Sequence, residues 1–294
     1  MISFEYVEPE SLEETLSLLE QHGDDAKVLA GGTGLVNLMK QRLVQPEYVL
    51  GLRRLAEIPG LAEIRSNGNI TIGALSSHHS IETSALIKSE LPLLAETFRH
   101  VASFRIRASA TLGGSLAHAD PAQDPPPALL VLDARIHVQS NKGERVIELN
   151  DFFVDYYETK LEPEELITKV VIPLQPANTG TAFLKFLPQT HDDYATVAVA
   201  TRVTLDGDKI TEARVALGAA GVTPLRATHV EGALQSQTPT PDSLYDASAL
   251  VADEVDPVAD FRGSPEYKRD MAVVFVQRAL VHALAQAKRS RDSA

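Results

Sequence analysis

The sequence predicts an α+β protein of two domains, and three observations carry that prediction. Its 294 residues exceed the usual reach of one hydrophobic core. Helical and strand-like periodicities alternate along it, punctuated by glycine clusters. Pro173, Pro176, Asn178 and Gly180 then interrupt the pattern, so a first domain over residues 1–176 and a second over 177–288 are expected, with 289–294 a frayed tail.

Composition removes several function classes. With 44% apolar and 23% charged residues the chain falls among ordinary globular proteins. A net charge of -13 opposes a phosphate-tracking surface, so nucleic acid is not an expected partner. The apolar runs are too short to span a bilayer and the N-terminus lacks a signal-peptide pattern, so the expected location is cytoplasmic. Cysteine is absent, which removes disulfides, thiolate nucleophiles and the usual ligands of iron–sulfur clusters; any such cluster must sit on another chain. No His-Glu-x-x-His spacing occurs, no metal site is expected, and the adjacent His78 and His79 point in different directions, as suits surface or capping roles.

The elements follow in order. Ser11 and Glu14 read as a capping box opening a helix with Leu12, Leu16 and Leu19 on one face, closed by Gly23. A strand over residues 27–29 runs into Ala30-Gly31-Gly32-Thr33-Gly34, and Leu35, Leu38, Met39 and Leu43 mark a helix leaving that turn. Ser66-Asn67-Gly68-Asn69 reads as a hairpin turn before Ile70-Thr71-Ile72, and residues 140–143 as a second hairpin between Ile136 and Ile147. Between them lie a helix around residues 91–101, a second glycine turn and the apolar run 128–132. After the break, residues 183–187, 196–205 and 210–217 read as strands, with helices around Thr228, Ser243 and Ser264. The last is expected to dock Met271, Val274, Phe275, Val281 and Leu284 on a sheet.

The glycine turns carry the chemistry. Successive N–H groups at a turn before a helix aim partial positive charge at one spot, and missing Cβ atoms let an anion approach. Gly31-Gly32-Thr33-Gly34 meets both conditions, although a plain tight turn at a strand end does so too. It completes neither a Walker A sequence nor Gly-x-Gly-x-x-Gly, since Asn37 stands where the third glycine belongs, which disfavours a Rossmann-type site. Thr111-Leu112-Gly113-Gly114-Ser115-Leu116 offers a second pocket of free N–H groups, with two hydroxyls for phosphate oxygens, and two such turns suit a diphosphate. Beyond it, Asp124 is placed to accept hydrogen bonds from ribose or adenine, while His118 either touches a ligand or caps a backbone group.

Ala30-Gly31-Gly32-Thr33 and Thr111-Leu112-Gly113-Gly114-Ser115-Leu116-Ala117-His118-Ala119-Asp120-Pro121 together resemble the FAD-binding medium subunits of molybdenum hydroxylases, the carbon monoxide dehydrogenase group above all. Tyr157-Glu158-Thr159-Lys160-Leu161, Asp193-Tyr194-Ala195 and Gly263-Ser264-Pro265-Glu266-Tyr267 extend the match over nearly the whole chain. The resemblance implies a PCMH-type, vanillyl-alcohol-oxidase-like flavin domain of two α/β subdomains, followed by a domain with a three-stranded antiparallel sheet and helices. It implies noncovalent FAD, its pyrophosphate wrapped by Ala30, Gly31, Gly32, Thr33, Gly34 and Leu35 with Leu29 beside them, and by Ala110, Thr111, Gly113, Gly114 and Ser115. Asp120 belongs to the same implied site, Asp124 reaches the nucleotide end, Ile167 and Lys185 lie along the cofactor, and Tyr194 approaches the isoalloxazine ring. Gly34, Ser115 and the Gln189-Thr190 pair depart from the common family residues, the last where a basic pair is usual.

The implied function is an electron relay, in which this oxidoreductase subunit takes electrons from a 2Fe-2S small subunit and a molybdopterin large subunit holds the molybdenum cofactor. The implied assembly is a dimer of heterotrimers, with a quinone, NAD or oxygen as external acceptor and possible contact with the inner membrane face. Two alternatives stay open: a self-sufficient flavin oxidoreductase with its own small substrate, and a flavin-free assembly module.

Overall fold

The computed structural model describes residues 1–187, 190 and 192–292. The first subdomain comprises β1 (Glu5–Val7), α1 (Leu12–His22), β2 (Ala26–Leu29), α2 (Leu35–Lys40) and β3 (Tyr48–Gly51), with β3 between β1 and β2 and parallel to both. Leu16 and Leu19 bury against Leu50, Leu52 and Leu55. Ser11 Oγ accepts the Glu14 N–H at 3.1 Å, but the Glu14 carboxylate takes the N–H of Glu10 at 2.7 Å, so only half of the capping box forms. Gly23 ends α1 at φ 51, and α2 stops at Lys40, leaving Leu43 exposed.

The second subdomain starts with the predicted hairpin of β4 (Ile64–Ser66) and β5 (Asn69–Gly73). Instead of one helix near residues 91–101 come α3 (His78–Thr83), α4 (Ala85–Glu90), α5 (Pro92–Arg99) and α6 (Phe104–Ser109); Ser77 and Ser84 cap α3 and α4, and Pro92 starts α5. Helices α7 (Leu112–His118) and α8 (Pro125–Val131) follow, then the second hairpin, β6 (Arg135–Ser140) and β7 (Gly143–Glu148). After the short pair β8 (Phe153–Asp155) and β9 (Glu158–Thr159), β10 (Leu166–Pro173) enters the middle of an antiparallel sheet of order β4-β5-β10-β6-β7. It fuses the subdomains, because Leu166 belongs to the core of the first and Ile167 to that of the second.

The third unit has strands β11 (Thr179–Phe186), β12 (Val197–Asp206), β13 (Lys209–Gly218) and the two-residue β14 (Leu225–Arg226), then α9 (Thr228–Leu234), α10 (Pro241–Ala249) and α11 (Pro265–Asp292). The fourth strand, too short to leave a sequence pattern, extends the three-stranded sheet that was expected. β12 is buried on both sides. Ala198 and Ala200, with Ala216 and Phe183, join the core of the second subdomain, whereas Val197, Val199 and Val203 pack beneath α11. The buried stripe of α11 is Ala272, Val276, Ala279, Leu280, Ala283, Leu284 and Ala287; of the expected residues Leu284 is in it, Met271 and Phe275 pack at its edge, and Val281 is exposed. Small residues face the sheet because the backbones approach closely: a Cβ on Gly180 would stand 2.0 Å from the Ala283 oxygen. Nor does the tail fray at residue 289, since α11 runs to Asp292 and Arg291 bonds Asp208 and the Gly207 carbonyl, both at 2.8 Å.

An ionic network locks the domains. Asp133, just past α8, accepts from Arg202 of β12 at 2.8 Å, and Arg202 also bonds Glu212 at 2.8 Å; Arg214 and Arg226 complete the cluster around Asp133. Arg202→Met removes the buried cation and leaves Asp133 and Glu212 with only the more exposed Arg214 and Arg226 as partners. A loss of about 2–3 kcal/mol is expected, below the full buried-pair range because both carboxylates are about a third exposed. Urea unfolding of the two proteins measures it.

Candidate functional site

The two glycine turns, some eighty residues apart in sequence, meet at the end of β2. A Cβ on Gly31 would lie 2.0 Å from the Ser109 oxygen and 2.8 Å from the Ala110 Cα, and one on Gly114 would lie 3.6 Å from the Ala30 Cβ. Gly32 takes φ 71, the left-handed region where a side chain is strained. Among the described residues the amides of Gly31, Gly32, Thr33, Gly34 and Leu35 donate to no protein acceptor, and all five residues are only partly buried. That is an anion-seeking nest at the start of α2.

The second turn behaves differently. The N–H groups of Leu112 and Gly113 donate to the carbonyls of Ser76 (3.0 Å) and Ala74 (2.8 Å), that of Gly114 to Thr111 Oγ1 (3.2 Å) and that of Ser115 to the Thr111 carbonyl (2.9 Å). The expected pocket of free amides is therefore spent on fastening α7 to the strand end at Ala74 and on capping by Thr111. The Ser115 hydroxyl donates to the Gln123 side chain, whose amide returns a bond to the Ser115 carbonyl at 3.0 Å. Thr111 Oγ1, which accepts from Gly114, donates to no acceptor among the described residues. One turn offers amides, and the other forms the wall that shapes it.

Asp124 and Lys185 come together across the domain seam. Lys185 Nζ, on β11, donates to Asp124 Oδ2 at 2.8 Å and to the His100 carbonyl at 3.0 Å, both side chains being almost wholly buried. Asp124 stands at the N-cap of α8 yet caps nothing, because the next three residues are Pro125, Pro126 and Pro127, which have no N–H to offer. Its Oδ1 is buried without a partner. Burial pushes its pKa up to about 6, against the opposing pull of Lys185. The lysine cation is thus matched by a carboxylate from the other side of the seam.

Ile167 lies inside the second core, next to Thr168, whose carbonyl anchors Ala74 behind Gly113. Tyr194 is partly exposed on the far side of the seam, and Arg262 bonds its carbonyl at 3.2 Å with the guanidinium 5.8 Å from its ring. Asp120 accepts from Tyr157 at 3.1 Å, and its other oxygen accepts the Ala122 N–H at 2.9 Å. His118 lies beside the first turn, its Nε2 3.0 Å from where a Gly34 Cβ would be, and its ring packs on Tyr157 at 5.1 Å; burial lowers its pKa. Tyr157, Gln123 and Arg262 were missed as site residues, for no spacing or turn signal distinguishes them. Gln189 lies outside the described residues.

His78 corrects an expectation. It is buried edge-on to Phe98 at 4.9 Å, and burial holds its pKa down to about 4, the Thr111 backbone opposing; only its neighbour His79, beside Glu82, stays near the surface. Consecutive helix positions lie about 100° apart, which put one imidazole in the core. The Lys185→Met variant is expected to lose about 3–5 kcal/mol by stranding the Asp124 carboxylate. Because that carboxyl already holds its proton up to about pH 6 in the fold, against 3.8 ordinarily, it subtracts stability as pH rises through that window; without the lysine the window extends upward. Urea unfolding is therefore expected to show a smaller deficit in acid than in alkali.

Comparison with known proteins adds to this geometry. Residues 2–175 match the FAD binding domain in molybdopterin dehydrogenase, and residues 182–283 the CO dehydrogenase flavoprotein C-terminal domain. The chain is 39% identical over 293 residues to the 6-hydroxypseudooxynicotine dehydrogenase complex subunit alpha of Paenarthrobacter nicotinovorans, covering 99% of this chain and 98% of that one. It is 35% identical over 286 residues to the carbon monoxide dehydrogenase medium chain of Afipia carboxidovorans, covering 97% and 98%. The solved carbon monoxide dehydrogenase of Hydrogenophaga pseudoflava superposes with a TM-score of 0.93 at 35% identity, over 97% of this chain and 99% of its counterpart. With both of its domains matched in order and relatives aligned end to end, the chain belongs to the FAD-binding medium subunits of the molybdenum hydroxylases.

Proposed function

We propose that the five unpartnered amides of Gly31, Gly32, Thr33, Gly34 and Leu35 hold the pyrophosphate of FAD, and that this chain relays electrons through it. Leu29 and Ala30 lead into the cradle, and Ala110, Thr111, Gly113, Gly114 and Ser115 form its opposite wall. Asp124, with an unpartnered buried oxygen, serves the nucleotide end; Ile167 and Lys185 lie along the cofactor, and Asp120 and Tyr194 belong to the flavin end. The observation that carries the reading is the run of free, partly exposed amides closed in by a second backbone too near to admit a side chain at Gly31.

Bound FAD supplies two-electron redox chemistry. The chain's own residues bind and orient it: the amides neutralise phosphate charge, Thr111 keeps a hydroxyl proton to give, and the domain seam excludes water around Lys185 and Asp124. Relatives are subunits of multi-subunit dehydrogenases, as in the 6-hydroxypseudooxynicotine dehydrogenase complex. For this chain the partners are an iron–sulfur small subunit that delivers electrons and a molybdopterin large subunit, arranged as a dimer of heterotrimers, with a quinone, NAD or oxygen as acceptor. The lack of cysteine supports the assignment of the clusters to another chain. Among the described residues no helix is long and apolar enough to cross a membrane, and a cytoplasmic place, with or without contact at the inner membrane face, is part of the proposal.

Gly31→Ala forces the turns apart. A penalty of about 1–3 kcal/mol corresponds to FAD binding weakened roughly fivefold to 150-fold. Gly232→Ala, with nothing within 4 Å of its added Cβ, is the control expected to keep full flavin content. Absorbance of the purified proteins at the flavin bands measures both, and undiminished flavin in Gly31→Ala would overturn the cradle. Native mass measurement of the complex from its source is expected to show three kinds of subunit, two copies of each; the lone chain would refute the assembly.

A further inference from the structure

His118, the last residue of α7, stands beside the cradle, and neither of its ring nitrogens makes a hydrogen bond to any described residue. The capping role that the sequence left open for it is not filled: Ala119, at φ 52, ends the helix with its own N–H on the Leu116 carbonyl. The ring instead occupies the space that position 34 leaves empty. A Cβ on Gly34 would stand 3.0 Å from Nε2 and 3.1 Å from both Cδ2 and Cε1. Three nearly equal distances mean that Gly34 meets the face of the ring at its Nε2 end, so Nε2 points past the backbone rather than into it. Gly34 has φ -91, which any residue adopts, so the turn needs glycine there for room and not for backbone freedom. It supplies no side-chain cap to α2, and its amide and that of Leu35 are among the five that donate to no described acceptor. The other side of the imidazole is fixed by Tyr157, whose ring packs on it at 5.1 Å. That phenol is tied in turn to Asp120 Oδ2 at 3.1 Å, while Asp120 Oδ1 accepts the Ala122 N–H at 2.9 Å.

We propose that His118 is a further phosphate ligand of this site, its imidazole N–H donating to the same diphosphate that the amides of Gly34 and Leu35 hold. The inference rests on the FAD reading above and names the side-chain donor that the cradle otherwise lacks. An oxygen held about 2.9 Å from the Gly34 amide has this imidazole as its neighbouring side chain, since position 34 contributes none. Backbone N–H groups carry partial charge, whereas an imidazole beside a dianion becomes a full cation. Burial lowers the pKa of His118 and Asp120 opposes that shift, so without an anion the ring is neutral. A neutral imidazole carries one N–H and an imidazolium two, so the ring donates in either state. Gly34 and His118 therefore act as one device, because a side chain at the first would displace the second.

Two sets of variants of the full chain test the assignment, one for place and one for chemistry. For place, Gly34→Ala is expected to lower the urea midpoint of the wild type, and to lower it less once His118→Ala has cleared the space. Equal losses in the two backgrounds would overturn the proposal without reference to flavin. For chemistry, His118→Phe keeps a ring against Gly34 and Tyr157 but has no donor. Its FAD binding, followed by quenching of flavin fluorescence, is expected to be weaker by roughly tenfold to 150-fold. His118→Gln, which returns an amide N–H, should recover part of that loss. Inorganic pyrophosphate, the anion alone, is expected to raise the urea midpoint of the wild type and to raise that of His118→Phe less, a difference that a packing role would not make. Unchanged FAD binding in His118→Phe, or an equal response of both proteins to pyrophosphate, absent responses included, overturns the proposal. A wild-type chain that answers to pyrophosphate through His118 yet takes up no FAD would sink the flavin reading and leave the anion ligand standing.

Discussion

The structure depends on a backbone-to-backbone contact that has no room for a single extra carbon. Gly31 rests on the carbonyl of Ser109, so the strand–turn–helix of the first subdomain and the capped α7 of the second are registered against each other within a fraction of an ångström. The first turn can then leave its amides unbonded, because the second bonds its own to Ala74, Ser76 and Thr111 and stands as a rigid wall. Rigidity in one turn permits unsatisfied donors in the other, and donors fixed before a ligand arrives need little reorganisation to hold it.

The C-terminal domain extends the same logic. Its sheet is a shared layer rather than an appended module: alternate residues of β12 enter two different cores, and alanines supply the face that meets the flavin-type domain. Charges then fix the orientation, with Lys185 reaching Asp124 at one place and three arginines gathering around Asp133 at another.

Much of this was legible in the residues, and the reasons for the rest are physical. The hairpins at Asn67-Gly68 and around residues 140–143 and the helix after Ser11 carry local signals, and all are present. The first glycine turn announced its free amides through composition alone. The second misled, because a Gly-Gly pair after threonine signals both an anion nest and a capped helix start, and the choice was made by carbonyls of Ser76 and Ala74 that are distant in sequence. The buried stripe of α11 was placed only in part: Leu284 is buried and Met271 and Phe275 pack at the edge of the core, but the alanines that meet the close-packed sheet carry little hydrophobic signal. Asp124 and Lys185 were each marked singly, but nothing in one dimension tells that a carboxylate and an ammonium sixty-one residues apart will neutralise each other. The fold class was readable from pattern, while the pairings inside the site belong to tertiary contact.

The proline triplet at the head of α8 has a consequence for what this chain can tolerate. Any other residue at Pro126 or Pro127 would bring a hydrogen-bond donor into a dry interior, and the nearest acceptor by helix geometry would be the preceding acid. Asp124 would then be recruited by its own helix and drawn away from the neighbouring domain. By lacking that hydrogen, the imino acids keep the carboxylate uncommitted locally, so an ordinary start signal for a helix is converted into a bolt between two folding units.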